Sequence, residues 1–238
     1  MNQWTENLIS VDLAQTLDGL FVQRIKRTPD RVAYCSYNRT SKAWKEYSWR
    51  DMGEMIARWQ VVLSKEPLKP GDRVALSLRN SPEWVAFDQA CLGLGLVVVP
   101  LYTDDRPDNI AYILEDAAVK LLLVQDGSRW KRLASAIGYN STVHRVFIQD
   151  SGADDAALLA SDKRVRCVDD TLPAEAPVLQ QRSGNPHKLA SIVYTSGTTG
   201  RPKGVMLSHH NMLSIAHASI TVIDCYQEDI FLSFLPLS

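Results

Sequence analysis

The sequence predicts an α/β fold: a doubly wound, mostly parallel sheet with flanking helices. Three observations carry this. From Arg73 onward short apolar runs alternate with helical ones, the pattern of parallel strands joined by helical crossovers. The turn Lys69-Pro70-Gly71-Asp72 separates that stretch from a differently patterned N-terminal part. Of the 238 residues 45% are apolar, and a domain of this size hides roughly 70% of its unfolded surface.

Leu17, Leu20, Phe21 and Ile25 recur at helical spacing and Pro29 stops the run, so 17–27 reads as a first helix. Two short runs rich in Tyr and Val, 31–37 and 43–47, flank a polar turn and read as a hairpin. Ser48 followed three residues later by Asp51 marks the start of a second helix. The alternating part then gives a strand at 73–78, a helix opened by Ser81-Pro82-Glu83, and a buried strand at 96–101. A helix opened by Arg106-Pro107-Asp108 follows, then a strand at 120–125, a helix at 128–137 and a strand at 143–148. Residues 169–187 hold three prolines among polar residues and read as a connection across the surface.

Composition narrows the function classes. A net charge of −1 with interspersed signs offers no basic face for a nucleic-acid backbone. The apolar stretch 90–101 is shorter than the 18 or more residues of a membrane-spanning helix and reads as helix end plus buried strand. Residues 1–10 lack the basic and apolar regions of a secretory signal, so a cytosolic location is expected. Cys35, Cys91, Cys167 and Cys225 lie more than fifty residues apart and read as buried free thiols.

The segment richest in chemistry is Ser191-Ile-Val-Tyr-Thr-Ser-Gly-Thr-Thr-Gly-Arg-Pro-Lys-Gly-Val-Met-Leu-Ser-His209, in which two strands flank a loop of Gly, Ser and Thr closed by a lysine. Glycines let backbone amides approach phosphate oxygens, hydroxyls add short donors, and lysine supplies a point charge. Three glycines at fixed positions arise by chance in about 0.08 chains of this length at a background of about 7%. Five further fixed residues at about 6% each lower that roughly a millionfold. An ordinary P-loop fails here: Pro202 stands where its second glycine belongs, Gly204 follows the lysine, and a strand rather than a helix comes next.

The segment resembles the signature phosphate loop of the adenylate-forming (AMP-binding) superfamily of acyl-CoA synthetases, peptide-synthetase adenylation domains and luciferases, with a complete match from Thr195 to Gly204. Further similarity runs through Leu94–Tyr102 and Asp229–Ser238, and Ala90–Gly95 with Leu232–Ser238 look most like long-chain fatty acyl-CoA synthetases. The resemblance implies a truncated N-terminal region of the adenylate-forming fold. It also implies an ATP-dependent acid–thiol ligase that joins a carboxylate to the α-phosphate of ATP and then passes the acyl group to CoA. Its implied cofactors are ATP, Mg2+ and CoA as co-substrate. Its implied partners are the carboxylic acid, the membrane peripherally through an acyl substrate, and the remaining C-terminal portion of the same enzyme.

By the same resemblance Thr195, Ser196, Gly197, Thr198, Thr199, Gly200, Lys203 and Gly204 contact the phosphates, with Lys203 the catalytic cation that offsets charge on the departing pyrophosphate. No metal ligand is assigned: the family's magnesium-holding glutamate, ribose-binding aspartate, adenine loop and catalytic lysine would lie past Ser238, so these 238 residues alone are expected to be inactive. Tyr194 reads as core packing, Arg201 as a solvated side chain, and His209, His210 and His217 as a capped helix start and its continuation. Asp104, Asp105, Asp108 and Asn109 read as a helix-capping cluster. The expected organisation is a helix–hairpin–helix segment at 1–66 that packs apart from the sheet, an α/β subdomain at 67–215 ending in the phosphate loop, and the start of a second subdomain at 216–238. An adenylation domain that loads a carrier protein, and a non-catalytic nucleotide-binding module, remain the alternatives.

Overall fold

The computed structural model describes residues 8–38, 41–137, 141–181, 184–195, 200–223, 226 and 228–237. The N-terminal part begins with α1 (Val11–Ala14) and α2 (Leu17–Arg27), whose first turns are capped by the hydroxyls of Ser10 and Thr16. An antiparallel pair follows, β1 (Val32–Asn38) and β2 (Ala43–Ser48), which forms a two-stranded sheet of its own. Then α3 (Trp49–Ser64) starts at the expected capping box: Asp51 N donates to Ser48 Oγ at 3.1 Å, and Ser48 N donates to Asp51 Oδ2 at 2.8 Å. Those bonds from Ser48 hold the Asp51 carboxyl below its ordinary pKa.

The large sheet has seven strands. In chain order they and their helices are β3 (Arg73–Ser77), α4 (Pro82–Gly93), β4 (Val97–Pro100), α5 (Pro107–Asp116), β5 (Leu121–Asp126), α6 (Gly127–Ala134) and β6 (Arg145–Asp150). After these come α7 (Ala156–Ser161), β7 (Val165–Cys167), α8 (Val168–Thr171), β8 (Leu189–Thr195), β9 (Lys203–Ser208) and α9 (His209–Val222). The spatial order is β7-β6-β5-β3-β4-β8-β9, parallel throughout except for the antiparallel β8–β9 pair. The sequence reading missed α7 and β7, because a six-residue helix and a three-residue strand are too short for periodicity to register.

Side-chain parity divides the interior into two cores. Val74, Leu76, Val98, Leu121, Leu123 and Phe147 point to one face of the sheet, where they meet α2, α3 and α4. Their neighbours Ala75, Val97, Val99, Leu122, Val124, Val146 and Ile148 point to the other, where they meet α5 and α6. Burial on both faces is why these strands read as continuous apolar runs rather than alternating ones.

The expectation about the packing of the N-terminal part is corrected here. Within 1–66, α2 and α3 do not pack apart from the sheet: Met52, Ile56, Trp59 and Leu63 of α3 are fully buried in the same core as Phe21 of α2, Phe87 and Phe147. The Trp59 ring meets the rings of Phe87 and Phe147 edge-on, with centroids 4.9 and 5.5 Å away. A helix that contributes so much apolar surface belongs to the sheet's covering layer. At the other end α9 runs unbroken through positions 215 and 216.

The surface connection after α8 is held by Gln60 of α3, itself 1% exposed. Its amide mimics a strand, donating Nε2–H to Gln180 O and accepting Gln180 N–H at Oε1, both at 2.8 Å. At the amino edge of the sheet, ion pairs join Asp72 to Lys120 at 2.8 Å and Glu66 to Arg145 at 2.7 Å. Cys91 and Cys167 are buried free thiols as expected, whereas Cys35 is exposed because its side chain lies on the open face of the small hairpin. Cys225 lies outside the described residues.

Candidate functional site

In a doubly wound sheet a crevice forms where neighbouring strands send their following helices to opposite faces, and ligands bind there, outside the carboxyl ends of the strands. Here β3 leads into α4 on one face towards β4, and its other neighbour β5 leads into α6 on the opposite face towards β6. The crevice therefore opens between the carboxyl ends of β3 and β5. Next to β4 lies β8, parallel to it and pinned by Ser191 Oγ, which donates to Val98 O at 3.0 Å. The Gly/Ser/Thr loop leaves from the carboxyl end of β8, so it emerges at the same edge.

The hairpin geometry of this loop follows from its two strands. In the β8–β9 register Tyr194 faces Gly204 and Thr195 faces Lys203, which makes Thr195 and Lys203 the two posts of the loop. Both are exposed. Gly200 has φ +88°, a left-handed backbone that a side chain would strain, and there is open space around the position a Cβ would take. Ser196, Gly197, Thr198 and Thr199 lie outside the described residues.

Gly204 has a packing reason as well as its expected place beside phosphate. A Cβ there would sit 2.8 Å from Ile192 Cγ2 and 3.0 Å from Tyr194 Cζ, so the bare backbone makes room for the tyrosine ring crossing over it. Tyr194 is 7% exposed and part of the core under α5, as the sequence suggested. Its phenol donates to Asp116 Oδ2 at 2.5 Å, and desolvation together with this carboxylate pushes its pKa well above the ordinary phenol value. Arg201 is exposed, and its guanidinium stands 5.4 Å above the ring of Tyr112, one helical turn before Asp116. Tyr112 and Asp116 thus support both ends of the loop from one stripe of α5. The sequence signalled neither, since the contact joins residues some eighty positions apart.

Ser208 caps α9 through a box with Asn211, as expected for a helix start. His209 is 6% exposed; its Nδ1 accepts Leu17 N–H at 3.2 Å, and burial lowers its pKa against a smaller opposing effect of Asp18. This ring ties α9 to the start of α2 and needs its neutral form to accept that bond. The acidic cluster caps differently from expectation: Asp105 Oδ1 accepts from Arg106 N at 2.8 Å and Asn109 Nδ2 at 2.9 Å, while Arg106, the N-cap of α5, makes no side-chain cap. Among the described residues no group of three or more His, Cys, Asp and Glu side chains could hold a metal ion.

The profile of the family "AMP-binding enzyme" matches residues 21–238. The chain belongs to that family. Long chain acyl-CoA synthetase 7, peroxisomal, of Arabidopsis thaliana is 29% identical over 234 residues, a match that covers 94% of this chain and 33% of the relative. Gramicidin S synthase 2 of Brevibacillus brevis is 30% identical over 203 residues, covering 84% of this chain and 4% of the synthase. The inhibitor-bound N-terminal domain of FACL13 from Mycobacterium tuberculosis superposes with a TM-score of 0.70 at 25% identity, covering 93% of this chain and 51% of that one. The chain thus spans about a third of the length of the acyl-CoA synthetase it matches. Among the described residues of this AMP-binding family member no helix is long and apolar enough to cross a membrane.

Proposed function

We propose that this chain is the N-terminal, phosphate-gripping part of an ATP-dependent carboxylate–CoA ligase that converts a long-chain fatty acid to acyl-AMP before forming the thioester with CoA. The observation that carries the reading is the β8–β9 hairpin loop, closed by exposed Lys203, at the same carboxyl edge of the sheet as the β3–β5 crevice. The hydroxyls of Thr195, Ser196, Thr198 and Thr199 donate to the β- and γ-phosphates, with the amides of Gly197, Gly200 and Gly204 beside them. Lys203 offsets the charge that grows on departing pyrophosphate, the electrostatic help that phosphoryl chemistry mainly needs. Mg2+ accompanies ATP and takes its protein ligands from other parts of the enzyme. Likeness to long-chain acyl-CoA synthetases supports the fatty acid. On this reading the enzyme is cytosolic and meets membranes only peripherally, through its lipid substrate.

The test is acid-dependent exchange of labelled pyrophosphate into ATP by the full-length protein, followed by assay of the CoA thioester. Exchange with long-chain fatty acids and a CoA product are expected, and the 238-residue chain alone should not exceed a blank. A second reading, an adenylation domain that loads a carrier protein, is favoured by the similarity to gramicidin S synthase 2. Exchange with amino acids and not fatty acids would select it. Absence of exchange with every acid would leave a non-catalytic nucleotide-binding module.

A further inference from the structure

By residue type Arg201 is a solvated loop side chain, but the fold gives it a seat. Its guanidinium stands 5.4 Å from the centroid of the Tyr112 ring, within the reach of a cation–π contact. Tyr112 is itself braced. Its hydroxyl lies 3.5 Å from Asp116 Oδ1, one helical turn further along α5, while Asp116 Oδ2 accepts the phenol of Tyr194. The half-buried Tyr112 ring, the carboxylate and the second phenol therefore form one connected unit that ends on Arg201.

The contact matters because of the residues on either side of Arg201 in the chain. Gly200 before it has φ +88° and open space where a Cβ would stand, so that side of the backbone is unpacked. Pro202 after it has its own φ locked by the ring and pushes Arg201 towards extended conformations. Lys203 comes next, the first residue of β9 and the partner of Thr195 in the register. Gly200 is thus a loose joint and Pro202 a stiff link, and the seat on Tyr112 decides where that link points. An ammonium on a flexible four-carbon stem needs such a fixed origin, because the stem by itself sets no single position for the charge.

We propose that Arg201 is a positioning residue: seated on Tyr112, it fixes through Pro202 the place from which Lys203 reaches the nucleotide phosphates. The proposal rests on the phosphate-loop reading above for the identity of the ligand, but the seat itself does not. Neither Arg201 nor Tyr112 touches a reacting atom; both act through Lys203.

The test uses the full-length protein with Arg201→Gln, Tyr112→Leu, the double variant of these two, and Tyr112→Phe. Binding of ATP is measured first, by calorimetry. Loss of one exposed cation–π contact corresponds to about a fivefold change in affinity, so Arg201→Gln and Tyr112→Leu should each weaken ATP binding by about that factor. The double variant should bind no more weakly than either single, because both remove the same contact. Tyr112→Phe keeps the ring face and loses only the hydroxyl, so it should bind ATP nearly as wild type does. In pyrophosphate exchange the rate at saturating ATP should also fall about fivefold in the first two variants, with the acid's apparent KM within about twofold and melting temperatures nearly unchanged. Losses that multiply in the double variant, or a loss in Arg201→Gln that Tyr112→Leu does not share, would mark Arg201 as a direct or long-range charge on the phosphates and overturn the positioning role. It would equally be overturned by a Tyr112→Phe variant as weak as Tyr112→Leu, by losses that track a fallen melting temperature, or by a wild-type exchange rate at saturating ATP. A protein that shows the ATP-binding pattern yet exchanges with no acid would sink the ligase reading and leave Arg201 in its role. A wild type that binds no ATP would overturn both.

Discussion

The phenol of Tyr194, the last but one residue of β8, is bonded at 2.5 Å to the carboxylate of Asp116, the last residue of α5. This joins the strand that delivers the Gly/Ser/Thr loop to the helix that follows β4. With the phenol's ionisation pushed well above its ordinary value, it remains a neutral donor throughout the physiological range. Tyr194→Phe removes the donor and leaves Asp116, which is exposed, to water. The expected cost is about 1 kcal/mol, or a fall in melting temperature of about 2–4 °C for a chain of this size. Asp116→Asn keeps an acceptor and should cost less. Thermal melts of the two variants check both statements.

Gly204 and Tyr194 face each other across β8 and β9, and the glycine gives the ring its space. Gly204→Ala should destabilise by roughly 1–3 kcal/mol, the usual range for overpacking. Tyr194→Ala in the same chain removes one of the two crowding groups, so the double variant should lose less than the sum of the singles. Strict additivity in urea unfolding would show that the glycine is not there for the ring.

Lys203 tests the chemistry. In the full-length enzyme Lys203→Ala should slow pyrophosphate exchange about a hundredfold, the typical cost of removing one preorganised donor, while the carboxylic acid's apparent affinity stays nearly constant. A cation near the β- and γ-phosphates interacts more strongly as pyrophosphate leaves than in the ground state, so its loss reaches the chemical step as well as ATP binding. A variant with an unchanged melting point and a rate within about twofold of wild type at saturating ATP would remove Lys203 from the catalytic contacts.

Asp88 on α4 gives a pH signature. Burial pushes its carboxyl up to about 7, nearby Asp18 adds to the rise, and a hydrogen bond from Gln89 opposes it. Since the folded pKa exceeds the unfolded one, the folded state binds the extra proton between about pH 4 and 7. Stability from this group is therefore full below about pH 4 and lost as pH rises through about 7. Asp88→Asn should accordingly gain stability over wild type at pH 8 and lose that advantage by pH 5, as read from urea midpoints at the two pH values. Comparing variant with wild type at each pH cancels His209, whose lowered pKa acts in the opposite direction.

The elements whose signals are local could be read directly from the residues. The Ser48/Asp51 box, the Ser81-Pro82 helix start and the doubly buried runs at β3, β4 and β5 follow from hydrogen bonds and side-chain periods that act within one turn or one strand. The Gly/Ser/Thr loop with its lysine is legible for the same reason, since its residues stand in one contiguous stretch between two strands. Whatever joins distant positions came from the fold alone. Strand order placed β8 beside β4 and so put the loop at the same carboxyl edge as the β3–β5 crevice; a local pattern carries no information about which strand lies next to which. The N-terminal helices entered the sheet's core because an apolar helical face must be buried somewhere, and its period does not name the surface that buries it. Asp116 beneath Tyr194 and Gln60 on Gln180 are ordinary polar residues in the sequence. Each acquires its role only when the fold brings its partner within about 3 Å, the reach of a hydrogen bond.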